Sequence, residues 1–320
     1  MTNRVLLVDG LNTFFRSYAT NPVTDNNGTP VGGLVGSLRS IGAVVRDLQC
    51  TQVIVVFDGK GGSSRRRKIF PNYKKDRKMT MRMNRQIDFD TWEEKEQNMK
   101  AQLIAFGQYL DLLPIKVMAV DNVEADDVIA YITLNYFKDD EKFIMSSDKD
   151  FLQLVDEKTK VWAPTKKKLY GIDEVIEEYH IHPYNITINR ILDGDKSDNI
   201  DGVKGFGVKR LAKIFPFLKE EKKYELDEIK EYAEQNVEKF GLLQKLVDNY
   251  DIVERNNELM NLHLCNFSMN AKMKIQSFMN EEPKKLNKME LLLKFNRDGL
   301  SHAFKNFPEW VSKTFVNVRQ

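Results

Sequence analysis

Nine carboxylates stand at positions where a chain could hold cations. Val-Asp9-Gly, Phe-Asp58-Gly, Val-Glu124-Ala-Asp126-Asp127 and Ser-Ser-Asp148-Lys-Asp150 follow four successive apolar runs, and Asp195 and Asp198 share the loop Gly194-Asp195-Lys-Ser-Asp198-Asn199. Any one of these acids could be an ordinary helix N-cap that complements the helix dipole. Seven acids at four strand ends exceed that explanation, because the carboxyl ends of parallel strands converge in space. Two like charges ~4 Å apart repel by ~4 kcal/mol at an effective dielectric near 20. A converged cluster must therefore protonate or recruit cations. No His or Cys accompanies these acids, and an oxygen-only donor set suits a hard ion, Mg²⁺ or Mn²⁺. Two such ions ~3.5–4 Å apart form the usual arrangement for phosphodiester hydrolysis, so the acids favour metal-dependent phosphodiester cleavage.

Two further stretches could grip a polyanion. In Gly202-Val-Lys204-Gly205-Phe-Gly207-Val-Lys209-Arg-Leu, spaced glycines open a short helix, where backbone N–H groups can approach a phosphate. Val208, Leu211, Ala212 and Phe215 face inward on the predicted helix, while Lys209 and Lys213, four apart, share an outward face. This is a grip on backbone phosphate without base reading, and no Gly-Lys-Ser/Thr makes it a nucleotide-binding loop. A plain tight turn explains most such glycine pairs. Between Lys60 and Arg85, eleven Lys or Arg face a single acid, Asp76. There Arg65-Arg-Arg-Lys68 and Tyr73-Lys74-Lys-Asp-Arg77-Lys78 interleave charges with Ile69, Phe70 and Tyr73. Charges on phosphates and rings on bases suit a single strand, and a solvated loop is the competing reading.

The elements that must position these residues follow from periodicity. Arg4–Val8, Val53–Phe57, Ile115–Val120 and a run ending Phe143–Met145 are strand-sized and apolar. Helical spacing covers Val31 to Leu48, Thr91 to Leu113 and Glu124 to Phe137. Alternation of this kind predicts an α/β fold with a doubly wound, mainly parallel sheet. Residues 60–84 fit neither a strand nor a core helix and are expected to be an exposed insertion. After about Gly171 the pattern changes to short helices and loops. The acids gather too: Asp121 to Glu157 holds eleven Asp or Glu against three Lys, although the net charge is only +2. With 42% apolar and 30% charged residues, the chain is neither disordered nor collagen-like. No apolar run approaches the ~18 residues of a membrane span. The N-terminus lacks the pattern of a secretory signal. Cys50 and Cys265 cannot form a disulfide framework, so a reducing compartment, the cytoplasm, is expected. His180 and His182 read as an exposed loop pair.

Seven ordered motifs together resemble the 5′ nuclease superfamily of flap endonucleases and 5′→3′ exonucleases, most of all its stand-alone bacteriophage members. They are Val-Asp9-Gly-Leu-Asn12, Phe-Asp58-Gly-Lys60, Tyr73-Lys74-Lys75-Asp76-Arg77, Val-Glu124-Ala-Asp126-Asp127, Ser-Ser-Asp148-Lys-Asp150, Gly-Asp195-Lys-Ser-Asp198-Asn199 and Gly202-Val-Lys-Gly205-Phe-Gly207. The resemblance runs from Val5 to about Phe217. It implies an α/β nuclease core over 1–180 with a basic helical arch about 60–100. It also implies a mainly helical DNA-binding part over 181–320, with a helix–three-turn–helix about 198–218. By resemblance, Asp9, Asp58, Glu124, Asp126 and Asp127 hold a first Mg²⁺ or Mn²⁺, and Asp148, Asp150, Asp195 and Asp198 hold or water-bridge a second. Asp126 and Asp148 are then catalytic, with Lys74 on the scissile phosphate and Arg77 on a nearby one. Arg16, Tyr73, Lys204, Gly205, Gly207, Lys209 and Lys213 join Lys74 and Arg77 as DNA contacts. The glycine loop would offer carbonyls to K⁺. The implied protein is a monomeric hydrolase of replication or repair that acts on DNA with a 5′ flap, nick or 5′ end. An RNA–DNA primer is a second candidate substrate, and single-strand-binding or replication proteins are candidate partners. No membrane is involved; if phage-encoded, the protein works in the host cytoplasm. A PIN-like ribonuclease is the alternative enzyme, against which stand Asp195, Asp198 and the glycine loop. A non-catalytic DNA-junction binder would lack a metal acid, and none is missing.

Overall fold

Val5–Val8 and Val53–Val56 have no polar face to offer water, and both runs are buried completely, as in a parallel sheet covered on both sides. A computed structural model of the chain describes residues 3–75 and 89–319. Strands β1 (Arg4–Asp9), β2 (Gln52–Asp58), β3 (Lys116–Val120), β4 (Glu141–Met145), β5 (Thr159–Ala163) and β6 (Lys168–Tyr170) form one sheet in the order β3-β2-β1-β4-β5-β6. All neighbours are parallel except the β5–β6 pair. The chain winds outward from β1 through β2 to β3, then returns to the other side of β1 as β4. That reversal puts the topological switch point at the carboxyl ends of β1 and β4, where open sheets bind ligands.

Helices α1 (Gly10–Thr20), α2 (Gly32–Asp47), α3 (Ser64–Ile69), α4 (Trp92–Leu112) and α5 (Ala125–Asn135) belong to this winding. Beyond β6 come α6 (Ile172–Tyr179), α7 (Ile186–Asp193), a small hairpin of β7 (Gly194–Asp195) and β8 (Ile200–Asp201), and α8 (Val208–Ile214). The chain then continues through α9 (Leu226–Gln235), α10 (Gly241–Asp248), α11 (Tyr250–Met260), α12 (Met269–Met279), α13 (Lys288–Arg297) and α14 (Phe307–Thr314). The period-two pleat separates two interiors. Val5, Leu7, Ile54 and Val56 pack with α5 and with residues of α6 to α12. Leu6, Val8, Val53 and Val55 pack with α1, α2, α4, α13 and α14.

Two expectations are corrected. The sheet has two strands more than the four read from sequence, because Thr159–Ala163 is only half buried, with charged Lys160 and exposed turn lysines masking its alternation. Each interior combines residues from before and after residue 180. The start of the basic segment is not an exposed insertion: Ser64–Ile69 is a helix whose Arg66 is buried, and Tyr73 is buried beside it. Arg77 and the rest of residues 76–88 lie outside the described residues. Among the described residues, no helix is long and apolar enough to cross a membrane.

Candidate active site

Asp9 ends the central strand and is buried at the switch point. Its Oδ1 accepts from the Asn12 N–H at 3.0 Å and caps α1, while Oδ2 accepts from the Ser146 hydroxyl at 3.1 Å. Ser146 continues β4, and its hydroxyl oxygen accepts from the Asp148 N–H at 3.1 Å. The Asn12 side chain accepts from the Ser147 N–H at 3.1 Å. These bonds stitch the two loops at the reversal into one unit. Asp148 Oδ1 accepts from the Asp150 N–H at 2.9 Å, and Asp58 Oδ1 accepts from the Ala125 N–H at 2.7 Å, capping α5 from a neighbouring strand. The capping role and the clustering therefore coexist. Burial above all, with the charges of Asp148 and Asp58 and against the bonds from Asn12 and Ser146, pushes the Asp9 carboxyl up to about 7. Asp126 is raised well above the carboxylate range, first by burial and then by Asp148 and Asp9.

Glu124, the residue before α5, and Asp127 in its first turn are answered by Arg66 of α3. The guanidinium bonds to Glu124 and forks onto both Asp127 oxygens at 2.7 and 2.9 Å. Its Nε donates to the Leu259 carbonyl of α11 at 2.8 Å. The Tyr73 hydroxyl donates to Glu124 Oε2 at 3.0 Å, and Lys74 Nζ reaches Oε1 at 2.7 Å. Although burial opposes it, these cations hold the Glu124 carboxyl below its usual range. Lys74 adopts a positive φ of 54°, its N–H donates to the Asp198 carbonyl at 3.0 Å, and Nζ lies 4.0 Å from the Asp198 carboxylate. The base of the basic segment is thus pinned to the second acid loop.

That loop is held by Arg190 of α7, which bonds to Asp150 and, at 2.6 Å, to Asp195 Oδ2. Burial still pushes the Asp150 carboxyl up to about 7, with Arg190 opposing and Asp148 assisting. Asp195 also accepts from the N–H and hydroxyl of Ser197 at 2.7 and 2.6 Å, and its carboxyl is lowered despite burial. An open cleft of about 560 Å³ runs between Asn12, Ser147 and Asp148 on one side and Arg190, Asp195 and Ser197 on the other.

The nine acids thus divide. Glu124, Asp127 and Asp198 are balanced by Arg66 and Lys74, and Asp150 and Asp195 are bridged by Arg190. Asp9, Asp58, Asp126 and Asp148 have no ion-pair partner among the described residues. Nor do three or more His, Cys, Asp or Glu among the described residues converge as a ready cage for an ion. Two buried arginines thus reach carboxylates 40 to 61 positions away in sequence. Arg66 stands in the sequence as one member of a basic run, and nothing local singles out Arg190.

Among the expected DNA contacts, Lys204, Gly205, Gly207, Lys209 and Lys213 are exposed, and Leu211 and Phe215 turn inward as expected. The glycines differ in purpose. A Cβ at Gly202 would lie 2.3 Å from the Asp193 carbonyl, so that glycine serves packing against α7, whereas Gly207 has open space around it. Gly205 sits at φ 109°, which favours glycine. Arg16 is half-buried and donates to Ser40 Oγ at 2.7 Å. Tyr73 is 3% exposed, and its hydroxyl is committed to Glu124. The expected loop histidines differ. His180 is exposed at the end of α6, but His182 is buried, with Nδ1 accepting from the Tyr184 N–H at 3.4 Å. Both cysteines are free and buried, and burial pushes their thiols up to about 12 at Cys50 and about 11 at Cys265.

Residues 4–180 match the family described as 5′-3′ exonuclease, N-terminal resolvase-like domain. The chain is 28% identical over 253 residues to a 5′-3′ exonuclease of Aquifex aeolicus, covering 76% of this chain and 81% of that one. It is 30% identical over 265 residues to the thermostable DNA polymerase I of Thermus thermophilus, covering 82% of this chain but only 27% of the polymerase. In fold it is similar to the bacteriophage T5 D15 flap endonuclease, solved as a complex with DNA and metal ions. That likeness has a TM-score of 0.63 at 21% identity and covers 94% of this chain and 99% of the other.

Proposed function

The chain belongs to the 5′-3′ exonuclease family, and on that premise we propose that it hydrolyses phosphodiester bonds at 5′ ends and 5′ flaps of DNA with two divalent ions, Mg²⁺ or Mn²⁺. The observation that carries the reading is the unbalanced set Asp9, Asp58, Asp126 and Asp148 at the switch point of the sheet. All its donors are oxygens, and burial with mutual repulsion raises Asp9 and Asp126, which fits a site completed by hard cations. The T5 flap endonuclease, whose structure holds DNA and metal ions, supports the same reading.

Bound there, two such ions would activate water and stabilise the attacking and leaving oxygens. The chain's own residues do the rest. Asp126 and Asp148 are the central ligands, with Asp9 and Asp58 beside them. Glu124, Asp127, Asp150, Asp195 and Asp198 act from behind, through Arg66, Lys74 and Arg190 or through bridging water. Lys74, and Arg77 beside it in sequence, supply positive charge to the scissile phosphate and its neighbour. Exposed Lys204, Lys209 and Lys213 neutralise phosphates of the duplex, with Gly205 and Gly207 admitting the backbone and K⁺ on the loop carbonyls. Residues 198–218 then act as the duplex grip. RNA–DNA primers are a further substrate class, and replication in the cytoplasm, beside single-strand-binding proteins, is the setting.

The test incubates a 5′-labelled flap, a nicked duplex and an RNA–DNA hybrid with Mg²⁺, Mn²⁺ or EDTA. Cleavage from the 5′ side leaving 5′-phosphate and 3′-hydroxyl ends is expected, and EDTA should abolish it. Asp126→Asn and Asp148→Asn should lose cleavage yet bind the flap nearly as well as the wild type. Products of the opposite polarity, or undiminished cleavage in EDTA, overturn the proposal.

A further inference from the structure

We propose that Arg66 is a positioning residue that aims Asp126 by clamping the two acids on either side of it; this rests on the nuclease reading of the site. Glu124 and Asp127 flank Asp126 at the first turn of α5, and both are bonded to the same guanidinium. Holding the two flanking side chains fixes the rotation of that turn. Asp126, between them in the chain, is left outside the clamp and without an ion-pair partner among the described residues. The fourth bond, from Nε to the Leu259 carbonyl at 2.8 Å, ties the clamp to the end of α11. Position 66 therefore links three elements far apart in sequence: α3, α5 and α11.

The geometry requires arginine. Arg66 is 4% exposed, and its fork meets two carboxylates and one carbonyl at once. A lysine ammonium is a point charge and cannot make that planar set. A buried ion pair is a poor source of stability compared with apolar packing, and its best-attested use is to fix a unique arrangement. Carboxylates near a metal are oriented by such outer partners, whose loss costs about 10- to 100-fold in metal affinity or activity. Burial also excludes the simpler reading of Arg66 as one more phosphate contact of the basic run.

The experiment compares wild type, Arg66→Lys and Arg66→Gly on the 5′-labelled flap with Mg²⁺. It measures Mn²⁺ binding without DNA by electron paramagnetic resonance, and amide exchange over residues 124–128 and 258–261. The expected result for Arg66→Lys is a folded protein with kcat lower by about 10- to 100-fold, Mn²⁺ bound correspondingly more weakly, and KM for DNA little changed. Exchange should accelerate in both segments together. Added guanidinium should restore part of the Arg66→Gly activity where sodium chloride of equal ionic strength does not. A folded Arg66→Lys with wild-type kcat and Mn²⁺ affinity overturns the proposal, as does a rise in KM at unchanged kcat, which would make Arg66 a DNA contact. If Arg66→Gly does not fold, the Arg66→Lys measurements decide alone. If the wild type cleaves none of the substrates, the nuclease reading fails by itself, and Mn²⁺ binding and exchange in the variants still judge the clamp.

Discussion

Asp148→Asn should stabilise the metal-free protein at pH 8 and change it little at pH 5. Asp9 supplies the magnitude: its carboxyl rises from 3.8 to about 7, a shift of roughly three units or ~4 kcal/mol. Burial is the largest cause, and Asp148 is the largest like charge. One like charge ~8 Å away repels by on the order of 2 kcal/mol at an effective dielectric near 20. The folded value is raised, so protonated Asp9 contributes stability fully below pH ~4, and that contribution is lost as pH rises through about 7. At pH 8 the folded protein must hold Asp9 charged beside Asp148, whereas at pH 5 it need not. Asp150, raised to about 7, and Asp126 titrate with the same sign, while Glu124 is lowered and so acts only below its ordinary 4.5. Asparagine retains an oxygen for the Asp150 N–H, so the cap at 2.9 Å survives. Melting in EDTA at both pH values should show a gain of roughly 3 °C at pH 8 for ~2 kcal/mol. Mg²⁺ at a hundred times its dissociation constant should add ~2.7 kcal/mol to the wild type and less to the mutant. A mutant less stable than the wild type in EDTA at pH 8, or an equal gain at pH 5, would refute the reasoning.

Arg190→Met leaves the half-buried Asp150 and Asp195 without their cation and should lower stability by ~1–3 kcal/mol in urea unfolding; an unchanged stability would mean that the two acids separate freely. Lys209→Ala and Lys213→Ala should each weaken duplex binding equally for all sequences and reduce the slope of log affinity against log salt by about one unit. An unchanged slope would return them to the solvated surface. Tyr73→Phe removes the hydroxyl bonded to Glu124 and should cost ~1–3 kcal/mol of stability without changing affinity for single-stranded DNA; a drop in that affinity would restore the base-stacking role. Gly42→Ala would set a Cβ 2.4 Å from Trp310 Cζ2, so the loss should be ~1–3 kcal/mol, with the near-ultraviolet tryptophan signal altered; an unchanged melt would show that α14 can shift off α2.

Much of the architecture is a local property of the chain. Apolar runs closed by acids specify parallel strands whose ends gather charge, because such runs are stable only when covered on both faces. Helical spacing in Val31–Leu48 and Thr91–Leu113 predicts α2 and α4 to within a residue or two, and Lys209 and Lys213 face outward by period alone. The acid set and its order also carry the resemblance that the family match bears out. Distant contacts settle what periodicity cannot. Whether a carboxylate stays unbalanced depends on which cation reaches it through the fold, and Arg66 and Arg190 reach theirs across 58 and 40 positions. Tyr73 has the composition of a base-stacking residue, yet it is buried because α3 docks on α11 and carries it against Glu124. The last helices, α13 and α14, carry no mark that they return to the first core; they do so because α1, α2 and α4 leave apolar surface that Leu291, Phe295, Phe307 and Val311 help to cover. The residue types at the acid site could be read from the sequence, but their charge balance is a property of three-dimensional proximity.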